Sequence, residues 1–301
     1  MTEVPPAPAR SVTERPVLHL GREGPREAPD AVAVEEPLEI RVDGDTVAVT
    51  MRTPGRDADL ALGFLFAEGL IAGAEDVGTV AHCGRPGEEG YGNVLDVRSG
   101  AGGRIDAERV LEGRRWVTTS AACGVCGRRS IDGLLERCGA VDASTRIPAE
   151  LVAAAVGRLG SVQPAFARTG GLHAAAISAA DGTLLSAAED VGRHNAVDKA
   201  VGALLRVRAL GASRHAPPGP APALLAVSGR TSFEIVQKAA AARLAVVAGV
   251  SAPSSLAVDL AENMRIALLG FVRDGRLNVY SNRWRLDAAA PAPRVGSPAS
   301  P

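Results

Sequence analysis

A mixed α/β chain is predicted, with a three-layer α/β/α domain behind a smaller N-terminal β-rich unit. Three patterns carry that prediction: period-two hydrophobic alternation around an Asp-Gly turn at residues 38–51, regular strand-and-helix alternation from Ala223 onward, and a change of character near Trp116. The 301 residues suffice for two such units, and a hydrophobic fraction of 46% supplies their cores.

Residues 1–33 and 288–301 read as disordered tails, because six of the twenty prolines fall between Pro5 and Pro29 and four more between Pro291 and Pro301. The β-rich unit is expected over 34–115. In it Leu38, Ile40 and Val42, then Val47, Val49 and Met51, flank Asp43-Gly44-Asp45 as a hairpin. A helix over Asp59–Leu70 and strands near Val77–Cys83 and Tyr91–Val97 follow.

The α/β domain is expected over 116–287. It opens with helices at Ser130–Arg137 and Pro148–Leu159, strands at Leu172–Ser178 and Thr183–Ala188, and a helix at Arg193–Leu205. Next come a strand at Ala223–Val227, a helix at Ser232–Leu244, a strand at Val246–Val250 and a helix at Ser255–Leu269. Strand material around Asp274-Gly275, from Phe271 to Tyr280, closes the domain. The stretch 211–222, with four prolines in twelve residues, reads as a surface insertion.

Composition excludes several functions. Lys plus Arg (33) nearly balance Asp plus Glu (34), a formal charge of −1, so no global field favours nucleic acid. Aromatic residues are 3%, which leaves little for base-stacking platforms. The first fifteen residues hold no apolar run of the kind a signal peptide needs, and the most apolar stretch, Ala239–Ala252, is interrupted by Arg243. A cytoplasmic, non-membrane protein with reduced cysteines is therefore expected.

Three local sequences have the residue types that chemistry needs. Cys123-Gly124-Val125-Cys126-Gly127 places a glycine after each thiol, and Arg128 and Arg129 follow. Nearby cations and a helix start lower a thiol pKa, and glycines let a large partner approach Cys123. A zinc site competes for this pair, but Cys83 and Cys138 stand alone and supply no second half-site, so no metal is expected. Two structural cysteines, or a thioredoxin-like dithiol, remain compatible with the spacing.

The second sequence, Glu189-Asp190-Val191-Gly192-Arg193-His194-Asn195, runs from a strand end into a helix, where Gly192, Arg193 and His194 would favour an anion; His194 can equally be a cap or interface residue. The third, Ser228-Gly229-Arg230-Thr231-Ser232-Phe233-Glu234, lies at another strand-to-helix turn, with Thr231 and Glu234 spaced as a capping box. Two polar turns at strand ends point to a phosphorylated ligand, while neither matches a P-loop.

With Glu36-Pro37-Leu38, Gly63-Phe64-Leu65, Thr169-Gly170-Gly171-Leu172-His173, Asn278-Val279-Tyr280 and the three sequences above, the chain resembles the formate dehydrogenase accessory sulfurtransferases, the FdhD/NarQ family, over residues 35–281. The resemblance implies a cytidine-deaminase-like α/β domain that has lost its zinc site, and a cytosolic homodimer. It also implies that sulfur taken as a persulfide from a cysteine desulfurase passes to the bis-molybdopterin guanine dinucleotide cofactor (Mo-bisMGD) of formate dehydrogenase. On that resemblance Cys123 bears the persulfide and Cys126 assists. Phe271-Val272-Arg273-Asp274-Gly275-Arg276 maps to the cofactor-binding segment, with GDP as a cofactor analogue. Read as residues alone, the segment is equally an ordinary hairpin turn with solvated charges. A non-catalytic cofactor chaperone and a dithiol oxidoreductase are the competing functions.

Overall fold

The computed structural model describes residues 11–84, 91–100, 105, 127–207, 210 and 219–287, with the backbone alone at 127–132. The chain opens with β1 (Val12–Gly21) and β2 (Gly24–Ala33), an antiparallel two-stranded ribbon. This corrects the disordered tail expected over 1–33, of which residues 1–10 lie outside the described residues. The prolines mislead here because Pro16 pairs opposite Pro29 in a ribbon whose every strand has a free edge, where a missing N–H breaks no ladder.

β3 (Glu36–Val42) and β4 (Asp45–Arg52) form the hairpin that the alternation predicts, and both turn residues, Asp43 and Gly44, have positive φ, 50° and 92°. After α1 (Asp57–Ala67), β5 (Val77–His82) and β6 (Val94–Ser99) complete a four-stranded sheet in the order β4-β3-β6-β5. Leu38, Ile40, Leu60, Leu65, Leu95 and Val97 fill the core beneath it.

Beyond the segment that would contain the expected boundary at 115/116, which lies outside the described residues, come α2 (Gly127–Cys138), β7 (Ile147–Pro148), α3 (Ala149–Gly157) and α4 (Pro164–Thr169). The larger unit follows as β8 (His173–Ala179), β9 (Leu184–Asp190), α5 (Arg193–Arg206), β10 (Pro222–Val227), α6 (Phe233–Ala241), β11 (Val246–Gly249), α7 (Ser255–Asn263), β12 (Ala267–Arg273) and β13 (Arg276–Val279). β14 (Leu286–Asp287) pairs with β7.

β8 to β13 make one six-stranded sheet in the order β13-β12-β11-β10-β8-β9, with β10, β11 and β12 parallel and β8 antiparallel to both of its neighbours. β11 is buried throughout and β10 nearly so, as strands covered on both faces must be. α3 packs across β10, β11 and β12, whereas α5, α6 and α7 pack side by side on one another and on the sheet.

The helix expected over Ser255–Leu269 ends at Asn263. Arg265 turns left-handed at φ 58°, and Ile266 N–H closes on the Ala261 carbonyl, so the apolar run Ala267–Leu269 becomes the start of β12 beside β11. Of the insertion expected over 211–222, residues 211–218 lie outside the described residues, and Pro222 is already the first residue of β10.

Two features lock the smaller sheet to the larger one. α1 crosses α5 at two glycines: a Cβ on Gly63 would overlap the Asp198 carbonyl oxygen, and one on Gly202 would overlap that of Asp59. Beside this crossing, Lys199 Nζ donates to the Thr53 carbonyl at 2.7 Å and pairs with Asp190 Oδ2 at 2.6 Å, while Thr53 N–H donates to the same carboxylate at 3.2 Å. Asn195 Nδ2 adds bonds to the Met51 carbonyl and Asp190 Oδ1.

Candidate functional site

The carboxyl ends of β9, β10, β11 and β12 lie along one edge of the large sheet, and the amino end of β8 joins them there. α5, α6 and α7 all start at this edge, so three helix amino termini point their free N–H groups toward it. Chain direction across the sheet reverses between β8 and β10: from β8 the chain moves outward to β9, then returns past β8 to build β10, β11 and β12. Such a switch point leaves a crevice at the strand ends, where α/β proteins bind ligands.

The Ser228–Ser232 turn fills that place. Ser228 N–H donates to the Ala174 carbonyl, and Ser228 Oγ accepts from Ala174 N–H at 2.9 Å, which fixes the turn to β8. Gly229 sits directly against His173 and Arg193, and Arg230 projects into solvent with no hydrogen bond or ion pair to any described residue. Backbone hydrogen bonds tie Thr231 to Ala252 and Ser254, and Phe271 to Ser251, so the ends of β10, β11 and β12 form a continuous rim.

The capping box expected of Thr231 and Glu234 does not form. Ser232 is the residue before α6, and Glu234 instead meets His194 Nε2 at 2.9 Å, with Ser232 Oγ 3.0 Å from the same nitrogen. The imidazole holds the Glu234 carboxyl below its ordinary pKa. Arg193 and His194 therefore diverge in role: His194 bridges the starts of α5 and α6, whereas Arg193 makes no hydrogen bond among the described residues and its Nε is buried.

The remainder of that motif is structural. Glu189 accepts from Ala165 N–H and Phe166 N–H at the start of α4, at 3.0 and 2.8 Å, and burial pushes its carboxyl up. Asp190 and Asn195 belong to the lock on the smaller sheet. Nothing in the local pattern distinguishes these inward-facing residues from Arg193, because the partners of Asp190 and Asn195 include residues more than a hundred positions away.

On the third turn, Asp274 and Gly275 both have positive φ, 51° and 74°, and join β12 to β13 with Arg273 opposite Arg276. Both arginines are exposed, and Arg273 lies 3.6 Å from Asp274. Val272 is buried. Phe271, half exposed, has φ 53° where the β12–β13 register shifts, an uncommon conformation for an aromatic residue. One strand, β11, separates β12 from β10, the strand that leads into Arg230, so β10 and β12 run about 10 Å apart across the sheet.

Arg193, Arg230, Arg273 and Arg276 thus lie along the same edge of the large sheet, while Cys123 and Cys126 lie outside the described residues. The lone His173 gave no separate signal in the sequence, although the Thr169–His173 motif ends on it.

The family model described as the FdhD/NarQ family matches residues 33–287. The chain belongs to the FdhD/NarQ family. Among FdhD/NarQ relatives, it is 65% identical over 285 residues to the sulfur carrier protein FdhD of Anaeromyxobacter dehalogenans, covering 95% of this chain and 97% of the relative. It is 46% identical over 286 residues to the sulfur carrier protein FdhD of Mycobacterium tuberculosis, covering 92% and 99%. A crystal structure from Desulfotalea psychrophila, described as a formate dehydrogenase accessory protein, shares the fold with a TM-score of 0.68 at 23% identity, covering 91% of this chain and 99% of that one. Among the described residues no helix is long and apolar enough to cross a membrane.

Proposed function

We propose that this protein is a cytoplasmic sulfur carrier that serves formate dehydrogenase. What carries the reading is its 65% identity, over nearly the whole chain, to a protein named a sulfur carrier. The chemistry begins at Cys123. Its thiolate attacks the outer sulfur of a persulfide on a cysteine desulfurase; one S–S bond forms as another breaks, and the desulfurase leaves as a thiolate.

Attack of the Cys126 thiolate on Cys123 Sγ then releases the outer sulfur as hydrosulfide to the cargo. It leaves a Cys123–Cys126 disulfide, which a dithiol reductant returns to two thiols. Mo-bisMGD is the cargo, held as substrate by the cationic rim: Arg193, Ser228, Gly229 and Arg230 at the switch point, and the Phe271–Arg276 turn beyond β11. The working form is a homodimer, with a cysteine desulfurase as donor and formate dehydrogenase as client.

Mass spectrometry of the full chain after incubation with a cysteine desulfurase and cysteine tests the carrier role. A sulfur adduct on Cys123 supports it. Unmodified protein that still binds GDP would make it a cofactor chaperone, and a reversible Cys123–Cys126 disulfide coupled to reduction of a substrate disulfide would make it an oxidoreductase.

A further inference from the structure

The β1–β2 ribbon leaves the body of the protein with one face and one edge uncovered. Val12, Glu14, Pro16, Leu18 and Leu20 share a face with Pro25, Glu27, Pro29, Ala31 and Ala33 of β2, while Arg15, His19, Arg26 and Asp30 take the other face. At its base the first face is covered: α4 packs on the ribbon, and a Cβ on Gly171 would lie 3.4 Å from Ala33 Cβ. Further out the same face runs into solvent, with Leu18 55% and Leu20 78% exposed and Pro16, Pro25 and Pro29 exposed beside them. Two strands alone are at best marginal in water without a third strand or a packed face.

The two edges differ. Val34 N–H donates to the Ser11 carbonyl, so Ser11 and Val34 form a hydrogen-bonded pair, and every second pair does the same down to Gly21 and Gly24. The intervening residues turn their backbone groups outward: Val12, Glu14, Pro16, Leu18 and Leu20 on β1, and Pro25, Glu27, Pro29, Ala31 and Ala33 on β2. The β2 edge is blunted, because Pro25 and Pro29 have no N–H and that of Ala31 is taken by Asp30 Oδ1 at 2.8 Å. On the β1 edge only Pro16 lacks a donor, and the N–H groups of Glu14, Leu18 and Leu20 point outward, toward where a further strand would lie.

We infer that β1 pairs antiparallel with β1 of a second copy of this chain, about a two-fold axis at Leu18. The inference rests on the reading that the working form is a homodimer, and names the surface that forms it. Leu18 exchanges both backbone hydrogen bonds with its counterpart, and Leu20 N–H donates to the Pro16 carbonyl of the other copy, so Pro16 accepts where it cannot donate. The same register sets Glu14 opposite Arg22 of the other copy, and both are exposed and free of ion pairs among the described residues. Registers centred one residue to either side set Glu14 opposite Leu20 or Gly24 instead. Pairing about Leu18 also brings Pro16, Leu18 and Leu20 of both copies together as one apolar strip across the axis.

The test uses the full-length protein. Leu18→Cys is oxidised with copper phenanthroline, and peptide mass spectrometry is expected to find the introduced thiol joined to its counterpart in the second copy; Glu27→Cys, on the blunted edge, should give no such product. Analytical ultracentrifugation reads the register. Glu14→Arg is expected to weaken the dimer about tenfold, because two symmetry-related attractions become repulsions, and Glu14→Arg combined with Arg22→Glu should restore it. Restoration by the exchange also shows that the single variant had not simply misfolded.

Both results are required. In a dimeric chain, failure of either one overturns the inference and leaves the homodimer reading to another surface. A wild-type chain that sediments as a monomer overturns both, and leaves the edge to a strand of the desulfurase or the client.

Discussion

Lys199 Nζ lies 2.6 Å from Asp190 Oδ2 with both residues shut off from water, 2% and 0% exposed. Each is also bound to Thr53 of the smaller sheet, so the pair closes a three-way joint between β9, α5 and the chain after β4. A buried pair contributes little net stability against an apolar replacement, yet losing one partner strands a charge. Lys199→Ala is therefore expected to lose about 3 to 5 kcal/mol, and the double variant Asp190→Asn with Lys199→Met markedly less. Urea unfolding followed by circular dichroism measures both; equal losses would show that the charge pairing is not what matters at this joint.

The α1–α5 crossing gives a second prediction. At Gly202 an added methyl meets the Asp59 backbone, which cannot rotate aside as a side chain could. Gly202→Ala should destabilise by about 1 to 3 kcal/mol or more, as overpacking does. Gly133 in α2 has open space around its Cβ position, so Gly133→Ala should gain about 0.5 to 1 kcal/mol from helix propensity alone. Thermal unfolding of the two variants ought to move in opposite directions.

What was legible in the sequence follows from range. Strand and helix periods are local, and so β3, β4 and the alternation from β10 to β11 appear where the pattern places them, whereas β12 begins inside the stretch expected as helix. The β1–β2 ribbon was hidden because proline counts against a strand without revealing that the strand is all edge. The rim motifs were legible as strand-to-helix turns, but the division of labour within them was not. Asp190 reaches Thr53, 137 residues away, and Glu234 turns to His194 instead of capping its own helix. His173 ends the Thr169–His173 motif, yet nothing in that motif shows that it comes to lie against Gly229, a contact that arises only when β8 is laid beside β10.

Cysteine substitution tests the transfer step. Cys123→Ala should abolish sulfuration of the client enzyme and leave the fold unchanged, since the proposed acceptor sulfur is gone. Cys126→Ala should give a graded loss, because other thiols can take its place in releasing the outer sulfur. Complementation of formate dehydrogenase activity in a strain lacking its own carrier reads both; full activity in Cys123→Ala ends the persulfide proposal.

Arg230 separates cargo binding from sulfur loading. With a net charge of only −1, the protein has no global field to draw in a phosphate-bearing cofactor, so attraction has to come from local donors on the rim. Arg230 is exposed just past the end of β10 and is bound to no described residue, which leaves its guanidinium available to a phosphate oxygen. A charged hydrogen bond of that kind contributes about 1.5 to 3 kcal/mol, so Arg230→Ala should weaken GDP binding by about ten- to a hundredfold. Folding should be unaffected, because the replaced side chain packs against solvent. Persulfide loading of Cys123 should also continue, since the desulfurase needs the thiol and not the rim. Calorimetric titration with GDP, run beside the mass-spectrometric loading assay, reads the two steps independently. Unchanged GDP affinity would remove Arg230 from the binding rim, and a parallel loss of loading would mean that the desulfurase docks on the same turn.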